Sequence, residues 1–389
     1  MLLPYDMLFN ICSFVSFECL IYIFPYHAHV YYDPKIYDYM WIQKICFPND
    51  DVLRKRLLNW FIWKQIIPIN SVIINYICKY NYISILEKMT QLLQKHKKNI
   101  DDYFTPTTTD IASSYGNIEV LDFIYRLFGN RMKYTTLSLD NASKNEYIIV
   151  LHWWSDKYIN KGIKLLYTKN AIDNSSNVRI LDFWFDMYKN YDIPMLYSTK
   201  HIDFCRNTEV LDWWLQKYQY YGLRIKYRSW SINISSGNNY LNILEWWFNQ
   251  NTLTLKYDEY SIDFASKNGH IEILNRWLRK WECDKKPLKY SSFAIDIASK
   301  NNHIHILNWW LNQYIKYNFK LKYTENAINH SIKNENIQVL DWWLDKCQKY
   351  DIIFKYDRNI PKSKVIEHWW IKNHPKITFI NKKILYSLE

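Results

Sequence analysis

A leucine recurs through most of this chain at a step that any fold must accommodate. Leu121, Leu151, Leu181, Leu211, Leu244, Leu274, Leu307 and Leu340 stand 30, 30, 30, 33, 30, 33 and 33 residues apart. A tyrosine keeps the same beat at 134, 167, 197, 227, 257, 290, 323 and 356, preceded by lysine at six of the eight positions. A period of this length implies a stack of like units, each too small to bury its apolar face except against its neighbours. The step changes by three residues at a time, close to one helical turn. From Tyr to the next Leu is 17 residues in five units and 14 in two, Tyr167–Leu181 and Tyr197–Leu211. Such jumps are expected at turns and helix ends, where length varies while the packed stripes stay in phase.

One unit, "YSSFAIDIASKNNHIHILNWWLNQY" (290–314), reads as a helix hairpin. Ser291 is placed to cap a helix that begins near Ser292. Ala294, Ile297 and Ala298 share one face of it. Asn301 and Asn302 end it, because asparagine tolerates the left-handed conformation found there. Ile304, Leu307, Trp310, Leu311 and Tyr314 then mark the buried face of a second helix. Nine residues before each ruler leucine of the longer units stands a small side chain: Ala112, Ala142, Ser235, Ala265, Ala298 and Ser331. Five before it stand Gly116, Asn239, Gly269 and Asn302, but Glu146 and Glu335 in two units.

Stretches such as "ASKNGHIEILNRWL" (265–278) resemble the middle of an ankyrin repeat, with Ala265, Gly269, His270, Ile273, Leu274, Trp277 and Leu278 in matching order. "ASSYGNIEVLDFIY" (112–125) and "ASKNNHIHILNWWL" (298–311) are similar. The family's Thr-Pro-Leu-His start is absent throughout, replaced by Lys-Tyr followed by Ser, Thr or Asp, which puts the family's β-turn fingers in doubt. A TPR array has a similar period but places Gly and Ala at other offsets. The Trp-rich, Gly-poor style resembles the ankyrin repeats encoded by giant DNA viruses of amoebae. The resemblance implies an all-α, ankyrin-type helical-hairpin solenoid of about nine to ten repeats over 75–373. A helical linker at 41–74 precedes it and a tail at 374–389 follows. Protein binding is the function it implies.

Tryptophan pairs mark the second helix: "VLHWW", "VLDWWLQ", "ILEWWFN", "ILNWWLNQ" and "VLDWWLD". The second Trp falls where the ankyrin family keeps core leucine. The first, at Trp153, Trp213, Trp246, Trp309, Trp342 and Trp369, either packs laterally or forms an exposed ladder. An exposed ladder would be a large apolar patch and would need a partner. Trp153, Trp213, Trp246, Trp309 and Trp342 are therefore a candidate partner-binding face. The Lys-Tyr pairs set a cation beside an aromatic ring, which nucleic-acid binders also use. Tyr packed between units with Lys facing water is the competing expectation, and the preference for Lys over Arg (39 to 11) argues against nucleic acid.

"LPYDMLFNICSFVSFECL", Leu3 to Leu20, lies outside the repeat and resembles an F-box. Leu3, Pro4, Met7, Leu8, Ile11, Phe14, Val15 and Leu20 fall in register, while Asp6 replaces the usual Glu. If the likeness holds, 1–40 docks onto the adaptor subunit of a cullin-RING ubiquitin ligase. Leu3, Pro4, Met7, Leu8, Ile11, Phe14 and Val15 would be the contact residues. The bland alternative is an apolar helix capping the array.

Other chemistry finds little support. No Gly-rich phosphate loop, nucleophile elbow or His-Glu-x-x-His motif occurs, and the whole chain has only six glycines. His270 and His303 occupy the Gly-His site and are expected to hydrogen-bond at turns. The acidic or amide residue of "LDWW" (Asp122, Asp182, Asp212, Glu245, Asn275, Asn308, Asp341) comes once per unit and is expected to be solvated. The seven cysteines are scattered, with no zinc spacing, and read as reduced thiols of a cytoplasmic protein, host cytoplasm if viral. The apolar start lacks a basic leader and carries Asp6 and Glu18, so neither secretion nor a membrane span is expected. The net charge of +12 partly reflects the Lys-rich usage of AT-rich codons. No cofactor, metal or enzymatic activity is expected, and the chain is expected to be a monomer.

Overall fold

The structure, a computed structural model, describes residues 69–357 and 363–386, with Lys55, Asn59 and Ile62. The F-box-like residues Leu3, Pro4, Met7, Leu8, Ile11, Phe14 and Val15 lie outside the described residues. Among those described every regular element is a helix. They divide into two compact units between Tyr197 and Ser198.

The first unit holds four hairpins: α1 (Ser71–Lys79) with α2 (Ile83–Lys95), α3 (Pro106–Ser114) with α4 (Ile118–Phe128), α5 (Leu137–Lys144) with α6 (Ile148–Lys161), and α7 (Asn170–Asp173) with α8 (Val178–Tyr191). The second unit continues with α9 (Lys200–Asp203) and α10 (Thr208–Tyr221), α11 (Trp230–Gly237) and α12 (Leu241–Asn249), and α13 (Tyr260–Lys267) and α14 (Ile271–Asp284). Then come α15 (Phe293–Lys300) and α16 (Ile304–Tyr317), α17 (Asn326–Lys333) and α18 (Ile337–Tyr350), and the long α19 (Lys364–Tyr386). Within each unit, first helices pack on first helices and second on second. This is the helical-repeat stacking that the leucine period implies.

The small residues explain how close the first helices come. Ala112, Ala142, Ala265, Ala298 and Ser331 are fully buried, and Ser235 is nearly so. Each sits where a larger side chain would hold the helices apart. All eight ruler leucines are buried.

The turn inside each longer hairpin is left-handed. Its φ is +78° at Gly116, +60° at Asn239, +76° at Gly269 and +58° at Asn302. The same angle is +62° at Glu146 and +55° at Glu335, where a side chain with a Cβ costs roughly 1–2 kcal/mol. Both glutamates are held by the next hairpin. Glu146 accepts hydrogen bonds from Ser176 Oγ at 3.2 Å and Asn177 Nδ2 at 3.0 Å, and Glu335 accepts one from Ser363 Oγ at 2.7 Å. Gly116 has a second reason to be glycine: a Cβ there would stand 2.8 Å from the Tyr147 ring.

The three-residue jumps fall at helix ends, as the spacing implies. First helices α7 and α9 have four residues where α5, α11, α13, α15 and α17 have eight. After each short helix an asparagine caps the next one, Asn177 accepting from Arg179 N and Asn207 from Glu209 N, both at 2.9 Å. Second helices α4 and α12 stop at 11 and 9 residues where most run to 14.

Candidate functional site

Most of the repeated aromatic and charged residues meet in the seams between hairpins. The second Trp of the pair, or the lone Trp at its place, is a seam core in most units. Trp154, Trp184, Trp277, Trp310 and Trp343 are at most 1% exposed. Each donates its indole N–H across the seam to a serine of the preceding hairpin: Ser113, Ser143, Ser236, Ser266 and Ser299, at 3.0–3.1 Å. Trp247 turns instead to Ser231 of its own hairpin at 2.8 Å, because the preceding hairpin is built on the shortened α9. The ruler tyrosine covers each of these indoles, with ring centroids 4.4–4.9 Å apart from Tyr134–Trp154 through Tyr323–Trp343. Its hydroxyl donates to a carbonyl of the next loop, as Tyr290 does to Lys320 O at 2.8 Å. Burial pushes these phenols up, Tyr167 to about 12, so they remain neutral donors.

The first Trp of each pair is not an exposed ladder. Trp153, Trp213, Trp309 and Trp369 are buried, and Trp246 and Trp342 half-buried. Their indoles donate to Asp122 (Trp153), Asp212 (Trp246), Asn275 (Trp309), Asn308 (Trp342) and Asp341 (Trp369) at 2.6–2.8 Å. The acceptors belong to the preceding second helix. Asp122, Asp212, Asn275, Asn308 and Asp341 are exposed, as expected, and also serve as acceptors. Chemistry is matched where the pattern changes. Arg276 replaces Trp and ion-pairs with Glu245, while Phe183 replaces Trp and meets the His152 ring edge-on at 5.4 Å. Of the candidate partner-binding residues, Trp153, Trp213 and Trp309 are buried, while Trp246 and Trp342 keep part of their surface in water.

A second seam ladder explains the Lys-Tyr-[Ser/Thr/Asp] motif. A buried carboxylate in one first helix accepts the backbone N–H and the side chain of the residue after the next tyrosine. Asp110 holds Thr135, Asp140 holds Thr168, Asp263 holds Ser291 and Asp296 holds Thr324, with N–H bonds of 2.8–2.9 Å. Asp203 holds Arg228 in the same way. Where the receiving residue is itself acidic, the acceptor becomes an amide. Asn233 Nδ2 donates to Asp258 Oδ1 at 2.7 Å, and Asn329 Oδ1 accepts from Asp357 N at 2.9 Å. Two carboxylates never face each other at this station among the pairs named here. Burial raises Asp263 and Asp296 above the ordinary carboxylate range, opposed by the bonds from Ser291 and Thr324.

The lysines of the Lys-Tyr pairs lie over the rings, while Lys256, Lys289 and Lys322 still face water as expected. Lys256, Lys289, Lys322 and Lys355 lie 4.2–4.8 Å from the ring centroids of the preceding tyrosines, Tyr227, Tyr257, Tyr290 and Tyr323. Each also donates to that tyrosine's carbonyl.

The histidines serve the hairpin turns. His270 Nε2 lies 3.1 Å from Gly237 O, and His305 Nε2 lies 3.0 Å from Gly269 O. His303 is held below its ordinary value by burial first and by His305 next, against a bond to the Lys267 backbone. A base with a depressed folded pKa contributes stability that is present above its unfolded value of about 6.5 and lost as pH falls through the folded one. Unfolding free energy should therefore fall between pH 7.5 and 5, and His303→Gln should flatten that fall. Urea titrations at the two pH values check this, and an unchanged slope in the variant would contradict it.

One repeated position is not absorbed by any seam. The first residue of successive first helices in the second unit is Trp230, Tyr260 and Phe293, which are 39%, 45% and 37% exposed. One turn on stand half-exposed Ile234, Phe264 and Ile297. At i and i+4 these share one helix face. The Trp230 and Tyr260 rings are nearly parallel with centroids 6.4 Å apart, and Tyr260 lies 5.2 Å from Phe264. Gly237 allows this approach, since a Cβ there would stand 2.9 Å from Phe264 Cβ. Sequence reading missed this row because its members share only an apolar character and a phase.

Among the described residues no group of three or more His, Cys, Asp or Glu side chains is placed to hold a metal ion. Among the described residues no helix is long and apolar enough to cross a membrane. Cys78, Cys205, Cys283 and Cys347 are free thiols. No family model matches the sequence, and no curated protein matches it significantly. Fold and seams together define a protein of stacked helical hairpins.

Proposed function

We propose that this chain is a protein-binding scaffold of ankyrin type, with about nine to ten units. Its first-helix faces hold a protein target, and its N-terminal segment recruits a cullin-RING ubiquitin ligase. The observation that carries the binding half is the aromatic row on α11, α13 and α15. The seam residues named above bond mostly to a neighbouring hairpin, whereas Trp230, Tyr260 and Phe293 stay partly in water, and a row of exposed aromatics of this kind marks an interaction surface. The ankyrin assignment is supported by hairpins of one short and one long helix, buried small residues in the first helix, and the left-handed turn at Gly269 followed by His270. The ligase half rests on the resemblance of Leu3–Leu20 to an F-box. A basic nucleic-acid binder is disfavoured by the seated lysines, and would show affinity falling steeply with salt.

A pull-down against the ligase adaptor subunit tests the ligase half, using the full chain beside a chain lacking 1–24 and a Pro4→Ala, Leu8→Ala, Ile11→Ala variant. Capture by the full chain alone is expected. No capture by a folded full chain leaves a plain interaction scaffold or decoy with no ubiquitin link.

A further inference from the structure

The aromatic row has a charged border that narrows what can lie on it. The face that begins with Tyr260 and Phe264 ends one turn later at Lys267, and the face of Phe293 and Ile297 ends at Lys300. On α17 the same stations are Asn326, His330 and Lys333. All three lysines are exposed. None has a carboxylate partner among the described residues, although Lys267 lies 5.9 Å from the Phe264 ring centroid. His330 registers their field: burial holds it below its ordinary value, and Lys300 and Lys333 push the same way against Asp296. A lysine at a helix C-terminus answers the helix dipole and by itself needs no ligand. The apolar row beside the lysines does. At the opposite end, Glu259 and Glu325 are exposed just before α13 and α17 begin. The face is therefore apolar along its middle, basic along one border and acidic at two points along the other.

From this we infer that the face of α11, α13, α15 and α17 binds an acidic peptide segment of a partner protein, laid across the helices in extended form. Its apolar side chains seat on Trp230, Tyr260 and Phe293, and its carboxylates lie along Lys267, Lys300 and Lys333. Spacing supports the extended form. The Trp230 and Tyr260 ring centroids are 6.4 Å apart. Side chains two apart in an extended chain share a face and are about 7 Å apart. One anchor per hairpin is thus met without bending the ligand. The inference rests on the protein-binding reading above and narrows it to one chemistry.

Selection of a displayed random dodecapeptide library on the full chain tests it. Enriched peptides are expected to carry apolar residues two apart, with several Asp or Glu. Their affinity should fall at least tenfold in a Lys267→Gln, Lys300→Gln, Lys333→Gln variant. It should also fall at least tenfold in a Trp230→Ser, Phe293→Ser variant whose circular dichroism is unchanged. The lysine variant keeps the test sound if the aromatic one folds poorly, since its three side chains are exposed. Enriched peptides that are neutral or basic, or that ignore both variants, would overturn this inference and leave protein binding at another face. No enrichment at all would overturn the inference. So would tighter binding of labelled oligothymidylate, lost in the lysine variant, and that result would remove the protein-binding reading as well.

Discussion

Trp310→Ala is expected to lower the unfolding free energy of its region by about 3–5 kcal/mol, the range for deleting a large aromatic from a packed core. The indole is 1% exposed. It lies beneath Tyr290 at 4.6 Å and edge-on to Trp309 at 5.0 Å, and donates to Ser266 Oγ at 3.1 Å. Alanine removes the contacts from both sides of one seam and leaves Ser266 without its donor. Trp310→Phe keeps most of the ring and loses the N–H, so about 1–2 kcal/mol is expected. Stacked hairpins contact only their neighbours, so the damage should stay local and appear as a separate early transition. Urea unfolding followed by circular dichroism checks both values. A loss below about 1 kcal/mol for alanine would contradict the seam-core reading of the second tryptophan.

Asp263→Ala should cost about 2–3 kcal/mol, from the buried Ser291 N–H and hydroxyl left without their acceptor. Asp263→Asn should cost under about 1 kcal/mol at pH 7, because an amide oxygen still accepts the N–H, as Asn329 does for Asp357. The pH dependence has a definite sign. Burial raises the folded pKa of Asp263 above its ordinary 3.8, so the folded state takes up its proton first as pH falls. The group's contribution is most favourable at low pH and is lost as pH rises through the folded value. The deficit of the asparagine variant relative to the parent should therefore widen from pH 7 toward pH 4. A constant deficit would mean that the carboxylate is as well solvated folded as unfolded.

What was legible in the sequence was whatever repeats within one unit. Leucine at the ruler, alanine nine before it and glycine or asparagine five before it each act inside one hairpin, so their spacing alone implies the helices and the turn. What was not legible joins two units. Asp122 and Trp153, or Asp263 and Ser291, lie 31 and 28 residues apart, and each looks like a separate motif until the hairpins are stacked. A usable signal was nonetheless present. Glu245 stands where its counterpart one unit on is Arg276 in place of Trp, and Asn233 and Asn329 stand where the partners are Asp258 and Asp357. The exposed row escaped for a different reason. Trp230, Tyr260 and Phe293 share a phase but no identity, and Asn326 breaks the series at α17.

Within each unit the repeated carboxylates and aromatics lock neighbouring hairpins together, and the row at Trp230, Tyr260 and Phe293 stays outside these seams. Amide hydrogen exchange tests this most directly at Thr135, Thr168, Ser291 and Thr324, whose N–H groups lie before a helix begins. Loop amides of this kind ordinarily exchange early. Here each is bonded to a buried carboxylate, so the account predicts exchange as slow as in the interiors of α5, α13 and α15. Exchange at the rate of an unprotected loop would mean the carboxylate ladder does not hold in solution, and the division between seam and binding face would fall with it.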